Sequence, residues 1–369
     1  MEEDQARIIV SGSPHILSSD STKNIMWLVS LCLLPTSIFG IYIFGISAFI
    51  VLIATIISAV LTEFIIFKIR KKPVTLDDGS AFLTGLILGL NFPANIPLYI
   101  PILSAIFAIA LVKQAFGGLA NNIANPAMTA RVFALFSWSK HMSTYVAPLN
   151  WKTSLLSRVN GGQSATVDVI TSSTPLSKVK VLISENYGNS FISTDILKAP
   201  PFTGPMDMLN ANGNPISYLD LFLGMKGGCI GEVSVLLLLV GSLLLIYKKI
   251  INVEIPIVFI ATVLFFAWCF DGLRYGMGFF AGDPLFHLLT GGLVFGALFC
   301  ATDLVTTPIT FKGRIIFAFG CGFITILVRM FHSLPEGVSI SIIFMNIMTP
   351  VIDKFIKITP LGVKKQGNK

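Results

Sequence analysis

Charge is what this sequence has least of. Only 12% of its 369 residues are Asp, Glu, Lys or Arg, while 54% are hydrophobic and the mean hydropathy is +0.80. A soluble domain carries about 25% charged residues, so a soluble fold is excluded and a polytopic membrane protein is implied. The net charge of +7 does not point to nucleic acid, because the basic residues are not interleaved with aromatics and sit in short runs beside apolar stretches. Metal patterns are missing as well. Cys32, Cys229, Cys269, Cys300 and Cys321 lie in or beside apolar segments, with no C-x-x-C and no histidine at ligand spacing. This excludes a disulfide framework, a protein-only metal site and a ligand set for iron–sulfur clusters, and leaves buried small side chains. No G-x-G-x-x-G follows a strand, so a dinucleotide site is not expected. The amino terminus, M-E-E-D-Q-A-R, is acidic and the first apolar run begins near Ile25. No cleavable signal is evident, and the first span is expected to stay as an anchor.

What is present is a succession of apolar runs. A span needs about 20 apolar residues, and the runs predict spans at 25–44 (with Pro35 inside), 46–67, 80–91, 98–112, 128–138, 235–246, 255–270, 285–301, 315–331 and 338–352. The third is short, opened by D-D-G-S-A with a carboxylate and Ser80 suited to a helix start, and stopped by N-F-P-A-N-I-P. Two Gly-rich stretches, F-G-G-L-A-N-N-I-A-N-P-A at 116–127 and L-F-L-G-M-K-G-G-C-I-G-E-V-S at 221–234, do not form continuous lipid-facing helices; irregular backbone at membrane depth needs protein or a cavity around it. Paired breaks suggest inverted or parallel repeats around a midplane site. The fold expected is all-α: about ten transmembrane helices in two five-helix halves, an inverted repeat with broken helices, plus one polar loop domain. The divisions are a lead at 1–24, a first half at 25–138, the loop at 139–217, a second half at 218–353 and a basic tail at 354–369. Lys68, Arg70, Lys71 and Lys72, then Lys113, Lys248, Lys249, Lys312, Arg314 and the tail fall on one side of this scheme, whereas the short loops of the other hold only Arg274. Basic residues stay in the cytoplasm, so both termini are expected inside and 139–217 outside.

Within that loop, V-D-V-I-T-S-S-T-P-L at 167–176 has two readings. Ser, Thr and Pro make turns through local hydrogen bonds, and a threonine hydroxyl is also a site for modification. Ionisable residues within the spans, Arg131, Lys226, Glu232, His287, Asp303 and Arg329, usually face a bundle interior or a polar path. Arg131–Glu232 and Asp303–Arg329 are candidate structural pairs, and Asp271, Arg274 and Asp283 are expected in an exposed turn. T-D-L-V-T-T-P puts Asp303 and Thr306 at a helix break as oxygen ligands for a hard cation; Asp78 and Glu232 are further candidates for an ion route. His287 is expected to be a hydrogen-bonded interior histidine. K-V-K-V-L-I at 178–183 is a candidate strand.

These landmarks form a set. S-P-H-I at 13–16, D-G-S-A-F-L-T-G at 78–85, the two Gly-rich stretches, H-L-L-T-G-G at 287–292, A-T-D-L-V-T-T-P at 301–308, P-E-G-V at 335–338 and N-I-M-T-P-V-I-D at 346–353 occur in register along nearly the whole chain. The sequence resembles the family formed by the D subunit of Rnf electron transport complexes and the homologous B subunit of the sodium-translocating NADH:quinone reductase, and its short lead is more similar to the Rnf member. The resemblance implies FMN joined through its phosphate to the last threonine of a D-G-x-[ST]-x-A-T motif. Asp168, Thr171 and Thr174 match it, with Pro175 and Leu176 following; Val169 stands where the family has Gly and Ser173 where it has Ala. Thr174 is thus the implied FMN carrier, Ser173 a minor alternative acceptor, and a flavin transferase the implied maturation partner. A second, non-covalent flavin such as riboflavin is a further implied cofactor. The implied activity is electron relay between ferredoxin and NAD⁺, coupled to Na⁺ or H⁺ movement in the bacterial cell membrane, with iron–sulfur, NADH-binding and second flavin subunits as partners. The alternatives are the quinone-reductase B subunit and a redox-inactive channel or transporter of related fold.

Overall fold

The computed structural model describes residues 21–71, 76–149, 171–187, 204–211, 216–275, 277–331 and 336–356. The lead up to residue 20, most of the 139–217 loop and the tail beyond residue 356 lie outside them. The described part is almost wholly helical. Among the described residues, five helices are long and apolar enough to cross a membrane. They are α1 (Thr22–Phe44), α2 (Ile46–Ile69), α8 (Glu254–Phe270, running on to Arg274), α10 (Phe311–Phe331) and α11 (Val338–Phe355). Between them lie shorter apolar helices: α3 (Ser80–Leu90), α4 (Tyr99–Phe107), α5 (Pro126–Ser137), α7 (Val235–Tyr247) and α9 (Pro284–Leu289). Large apolar side chains stay exposed along the helices, among them Leu31, Ile38, Ile57, Leu243, Phe265 and Ile347. A helix apolar all round requires an apolar surrounding; the chain is a multi-pass membrane protein.

Local sequence accounts for the boundaries. Ser21 caps α1 by accepting from the Asn24 N–H (3.2 Å), and Gly45 at φ 78° makes the one-residue turn into α2. Asp78 Oδ1 accepts from the Ser80 N–H (3.0 Å) and hydroxyl (2.8 Å) to start α3. Asn125 caps α5, with Pro126 at its first position, where a missing N–H costs nothing.

One expected span runs on as a single helix that changes type, and another is broken. The run at 98–112 is α4 followed by a π-helical segment, Ala108–Gln114. The run at 285–301 is α9, a break at Thr290–Gly292, the short helix Leu293–Phe295 and a second π-helical segment, Gly296–Cys300. The broken stretches obey the rule that backbone polar groups at depth need protein partners. Ile230 and Gly231 donate their N–H groups to the carbonyls of Phe92 (3.0 Å) and Leu90 (2.7 Å), so 229–231 lies against the end of α3 like a strand. Glycine is required there: a Cβ on Gly231 would stand 2.6 Å from Leu90 Cβ. The end of α9 is closed by two buried cations. Lys226 Nζ donates to the Leu289 carbonyl, and Arg329 donates to those of His287 (2.7 Å) and Thr290 (3.0 Å). Cations are favoured at a helix C-terminus, where orphan carbonyls gather.

The segment at 178–183 is helix, not strand. It belongs to α6 (Pro175–Tyr187), whose buried residues Leu176, Val179 and Ile183 follow a helical period that the alternation in K-V-K-V-L-I hid. Before it, β1 (Tyr145–Val146) and β2 (Thr171–Ser172) pair antiparallel, Val146 opposite Thr171.

Candidate functional site

The α6 helix begins at the threonine singled out above. Thr174 Oγ1 accepts from the Ser177 N–H (3.2 Å) and shares a hydrogen bond with Ser177 Oγ (2.8 Å), while the Thr174 carbonyl accepts from the Lys178 N–H (2.9 Å). Thr174 is therefore the N-cap, with Pro175 at N1, the arrangement such residue types favour. Its side chain is 2% exposed, whereas Ser173 is exposed. Thr171 is held in β2 through its backbone; Asp168 lies outside the described residues. The helix rests on the 3₁₀ turn Asp271–Tyr275 that follows α8. Burial there, followed by the nearby charges of Arg274 and Arg329, pushes the Lys180 ammonium down to about 7.

Phosphate chemistry fits this place. A helix N-terminus presents N–H groups and a positive dipole end to an anion. A phosphoester keeps the threonine oxygen as an acceptor for the Ser177 N–H. The one demand it makes is steric: the buried hydroxyl must leave its cap to be esterified.

Beneath α6 the expected exposed turn is not exposed. Asp271 is fully buried, because its Oδ2 faces His287 Nε2 at 3.3 Å and its Oδ1 faces Arg274 at 3.8 Å. Asp283, half-buried, caps α9 by accepting from the Phe286 N–H (3.0 Å) and also takes the Tyr218 hydroxyl at 2.5 Å.

Deeper in, Arg131 of α5 unites the two halves of the sequence. Its guanidinium donates to Glu232 Oε1 (3.1 Å), to Glu336 Oε2, to Ser339 Oγ (2.7 Å) and to Cys229 Sγ (3.7 Å). The expected Arg131–Glu232 pair is there, enlarged by a second carboxylate. The three acidic or thiol groups Cys229, Glu232 and Glu336 converge closely enough to hold a metal ion, but the guanidinium fills the place between them. The expected Asp303–Arg329 pair does not form. Arg329 is spent on the α9 carbonyls, and Asp303 instead accepts from the Val305 N–H (3.3 Å) and the Thr306 hydroxyl (3.4 Å). A charged C-cap is set by three-dimensional approach, which sequence spacing does not encode.

A second polar group forms between α2 and the first π-helical segment. Lys113, on that segment, meets Glu63 of α2 at 2.7 Å, both side chains 2% exposed, and donates to Ser80 Oγ (2.6 Å); Gln114 donates to the same Glu63 oxygen (2.8 Å). Through Ser80 this network reaches Asp78. It borders a cavity of about 120 Å³ whose polar lining is Ser80, Thr84, Lys113, Asn122, Asn125, Thr302 and Asp303 in an otherwise apolar wall. Asp303 lines it, Asp78 and Thr306 reach it only through Ser80 and Asp303, and Glu232 stands apart in the Arg131 cluster. Sequence reasoning passed over Glu63, Glu336 and Lys180. A lone carboxylate in the apolar run 46–67 was the signal for Glu63, and P-E-G-V for Glu336. Lys180 had none, since its surroundings are made by α6 docking.

Comparison with known proteins adds to this geometry. The model of the family described as NQR2, RnfD, RnfE matches residues 9–362. The D subunit of a proton-translocating ferredoxin:NAD(+) oxidoreductase complex from Clostridium ljungdahlii is 42% identical over 356 residues, covering 96% of each chain. The D subunit of a Na(+)-translocating ferredoxin:NAD(+) oxidoreductase complex from Acetobacterium woodii is 40% identical, covering 98% of this chain and 97% of the relative. The D subunit of an ion-translocating oxidoreductase complex from Stutzerimonas stutzeri is 35% identical over 94% of each.

Proposed function

Because the chain belongs to the NQR2, RnfD, RnfE family, we propose that it is the membrane-embedded D subunit of an ion-translocating ferredoxin:NAD⁺ oxidoreductase, carrying FMN on Thr174. The observation that supports the site is Thr174 as the buried N-cap of α6. Bound there, FMN supplies electron transfer in one- or two-electron steps. The chain's part is to position the group. The β1–β2 pair and the α6 face of Leu176, Val179 and Ile183 fix the attachment point, and the N–H groups of the first α6 turn would hold the phosphate. Asp168, Thr171 and Ser173 belong to the sequence that the flavin transferase recognises. The apolar cavity with Asn122, Asn125, Lys113 and Asp303 suits a second, non-covalent flavin such as riboflavin: apolar walls for a ring, amides and charges for its polar edge. Iron–sulfur and NADH-binding chemistry falls to partner subunits, because no ligand set for either is in this sequence.

The chain sits in the bacterial cytoplasmic membrane with both termini inside and the flavin loop outside, on the distribution of Lys and Arg. Two five-helix halves in inverted repeat have their support in the element order and in a repeated motif. Leu83-Thr84-Gly85 within α3 is matched by Leu289-Thr290-Gly291 at the end of α9, and each half has a π-helical segment. The division into lead, first half, loop, second half and tail follows the same scheme. Asp303, Thr306, Asp78 and Glu232 serve the ion route, Na⁺ or H⁺. The similar relatives named above are D subunits of both kinds.

Covalent flavin is read directly by ultraviolet fluorescence of the denatured chain on a gel, after co-expression with a flavin transferase. The wild-type band fluoresces, Thr174→Val is dark and Ser173→Ala stays bright. A dark wild-type band would favour a redox-inactive channel, for which the broken helices are equally suited. A bright Thr174→Val band would move the acceptor to Ser173.

A further inference from the structure

The α11 helix carries a line of polar side chains on one face. Ser339, at its first turn, holds Arg131; Asn346 lies two turns on; Thr349 follows three residues later and donates to the Thr306 carbonyl (3.0 Å). Ile342, four residues before Asn346, stands against the second π-helical segment: a Cβ on Gly296 would lie 3.6 Å from Ile342 Cδ1. Residues three and four apart share a helix face, so Asn346 lies on the side of α11 that faces 296–306, between the Arg131–Glu232–Glu336 cluster and the Asp303–Thr306 break. Asn346 is 1% exposed, and among the described residues neither its Nδ2 nor its Oδ1 has a hydrogen-bond partner. Val338 at the start of α11 is about 12 Å away along a helix rising 1.5 Å per residue, so the amide lies near mid-helix. Burial keeps lipid and other subunits away from it.

An amide stripped of both its donor and acceptor partners costs several kcal/mol where no water or protein replaces them, and such a group calls for an occupant. We propose that Asn346 is a hydration point of the ion route, where the amide oxygen and nitrogen hold the water or ligate the monovalent cation in passage between the Arg131 cluster and Asp303. This rests on the ion-translocating function proposed above. The carbonyl is a hard oxygen ligand suited to Na⁺, and the same amide orders the water through which a proton passes. The shared requirement is an oxygen-lined, water-accepting point on α11. No charge is needed there, since Glu232 and Glu336 stand before it and Asp303 after it.

The test uses the whole complex in proteoliposomes driven by reduced ferredoxin and NAD⁺. Uptake of radiolabelled Na⁺ is followed in one arm, and lumenal pH in Na⁺-free buffer in the other. Asn346→Leu, of similar volume but unable to hold water, is expected to lower transport of whichever cation the wild type moves by about tenfold or more, the loss expected when an oxygen-ligating point on a path through apolar surroundings is removed. Asn346→Ser, which leaves room for a water, should stay within about threefold. Flavin fluorescence and subunit content should be those of the wild type in both. Leucine within about twofold of wild type would overturn the inference; in that case the orphaned amide is only structural, and its replacement should raise the thermal stability. If Asn346→Leu does not assemble, Asn346→Ala set against Asn346→Ser decides by the same thresholds. A wild-type complex that moves neither cation would overturn the function and this inference together. Transport by the wild type with no effect of leucine overturns this inference alone.

Discussion

Arg131 shows how much one side chain holds when there is no water to replace it. Its guanidinium serves two carboxylates, a hydroxyl and a thiol, and removing it strands Glu232 and Glu336 together. Breaking a buried pair by deleting one partner costs about 3–5 kcal/mol, so Arg131→Ala is expected to lower the thermal stability and yield of the detergent-solubilised chain sharply. Adding Glu232→Gln should restore much of the loss. If the double variant is no better than the single, the cost lies in packing around α5 rather than in charge. Lys180 makes a different case. Its folded-state ammonium titrates near 7, below an ordinary lysine at 10.5, so between those values the unfolded chain binds more protons than the folded one. Stability therefore rises with pH across that window and is lost as pH falls toward 7. In a Thr174→Val background, without the flavin phosphate, thermal unfolding should shift upward from pH 7 to pH 9, and the slope should flatten in Lys180→Met. An unchanged slope would mean that Lys180 is hydrated rather than buried where α6 docks.

At the scale of elements the broken segments tie together parts of the membrane region that are distant in sequence. The backbone bonds from 230 and 231 to the end of α3 need two chains within ladder distance, and only glycine permits it at 231. Gly231→Ala is expected to destabilise by about 1–3 kcal/mol through overpacking against Leu90, measurable as a lowered melting temperature. The same change at Gly204, where a Cβ meets nothing within 4 Å, should be silent. The sequence made the long helices legible, because twenty apolar residues have few other solutions. It also marked the 116–127 and 221–234 breaks by their glycines and asparagines. The break inside 285–301 was harder. Thr290, Gly291 and Gly292 are a weak stop within an apolar run, and what ends α9 there is a pair of cations, Lys226 and Arg329, from distant parts of the chain. The helical character of 178–183 was missed for a related reason: alternating Lys and Val imitates a strand until the docking face of Leu176, Val179 and Ile183 is known.

For the whole molecule, the buried charges among the described residues gather under α6, at the end of α9, around Arg131, and beside Lys113 and Glu63. Sequence alone named Thr174, Asp303 and Glu232, residues that motifs mark. It missed Glu63 and Glu336, whose meaning comes only from the partners that folding brings to them. The burial of Thr174 bears on chronology. A hydroxyl that closes its own helix and is 2% exposed is out of reach of any second enzyme once α6 has settled on the turn at Asp271–Tyr275. On the flavin reading, esterification belongs to the interval before that docking, or to moments when the first turn of α6 comes undone. The loop would then record its maturation history: a chain that folds faster than it is modified ends sealed and empty, and no later supply of flavin restores it without first loosening that helix.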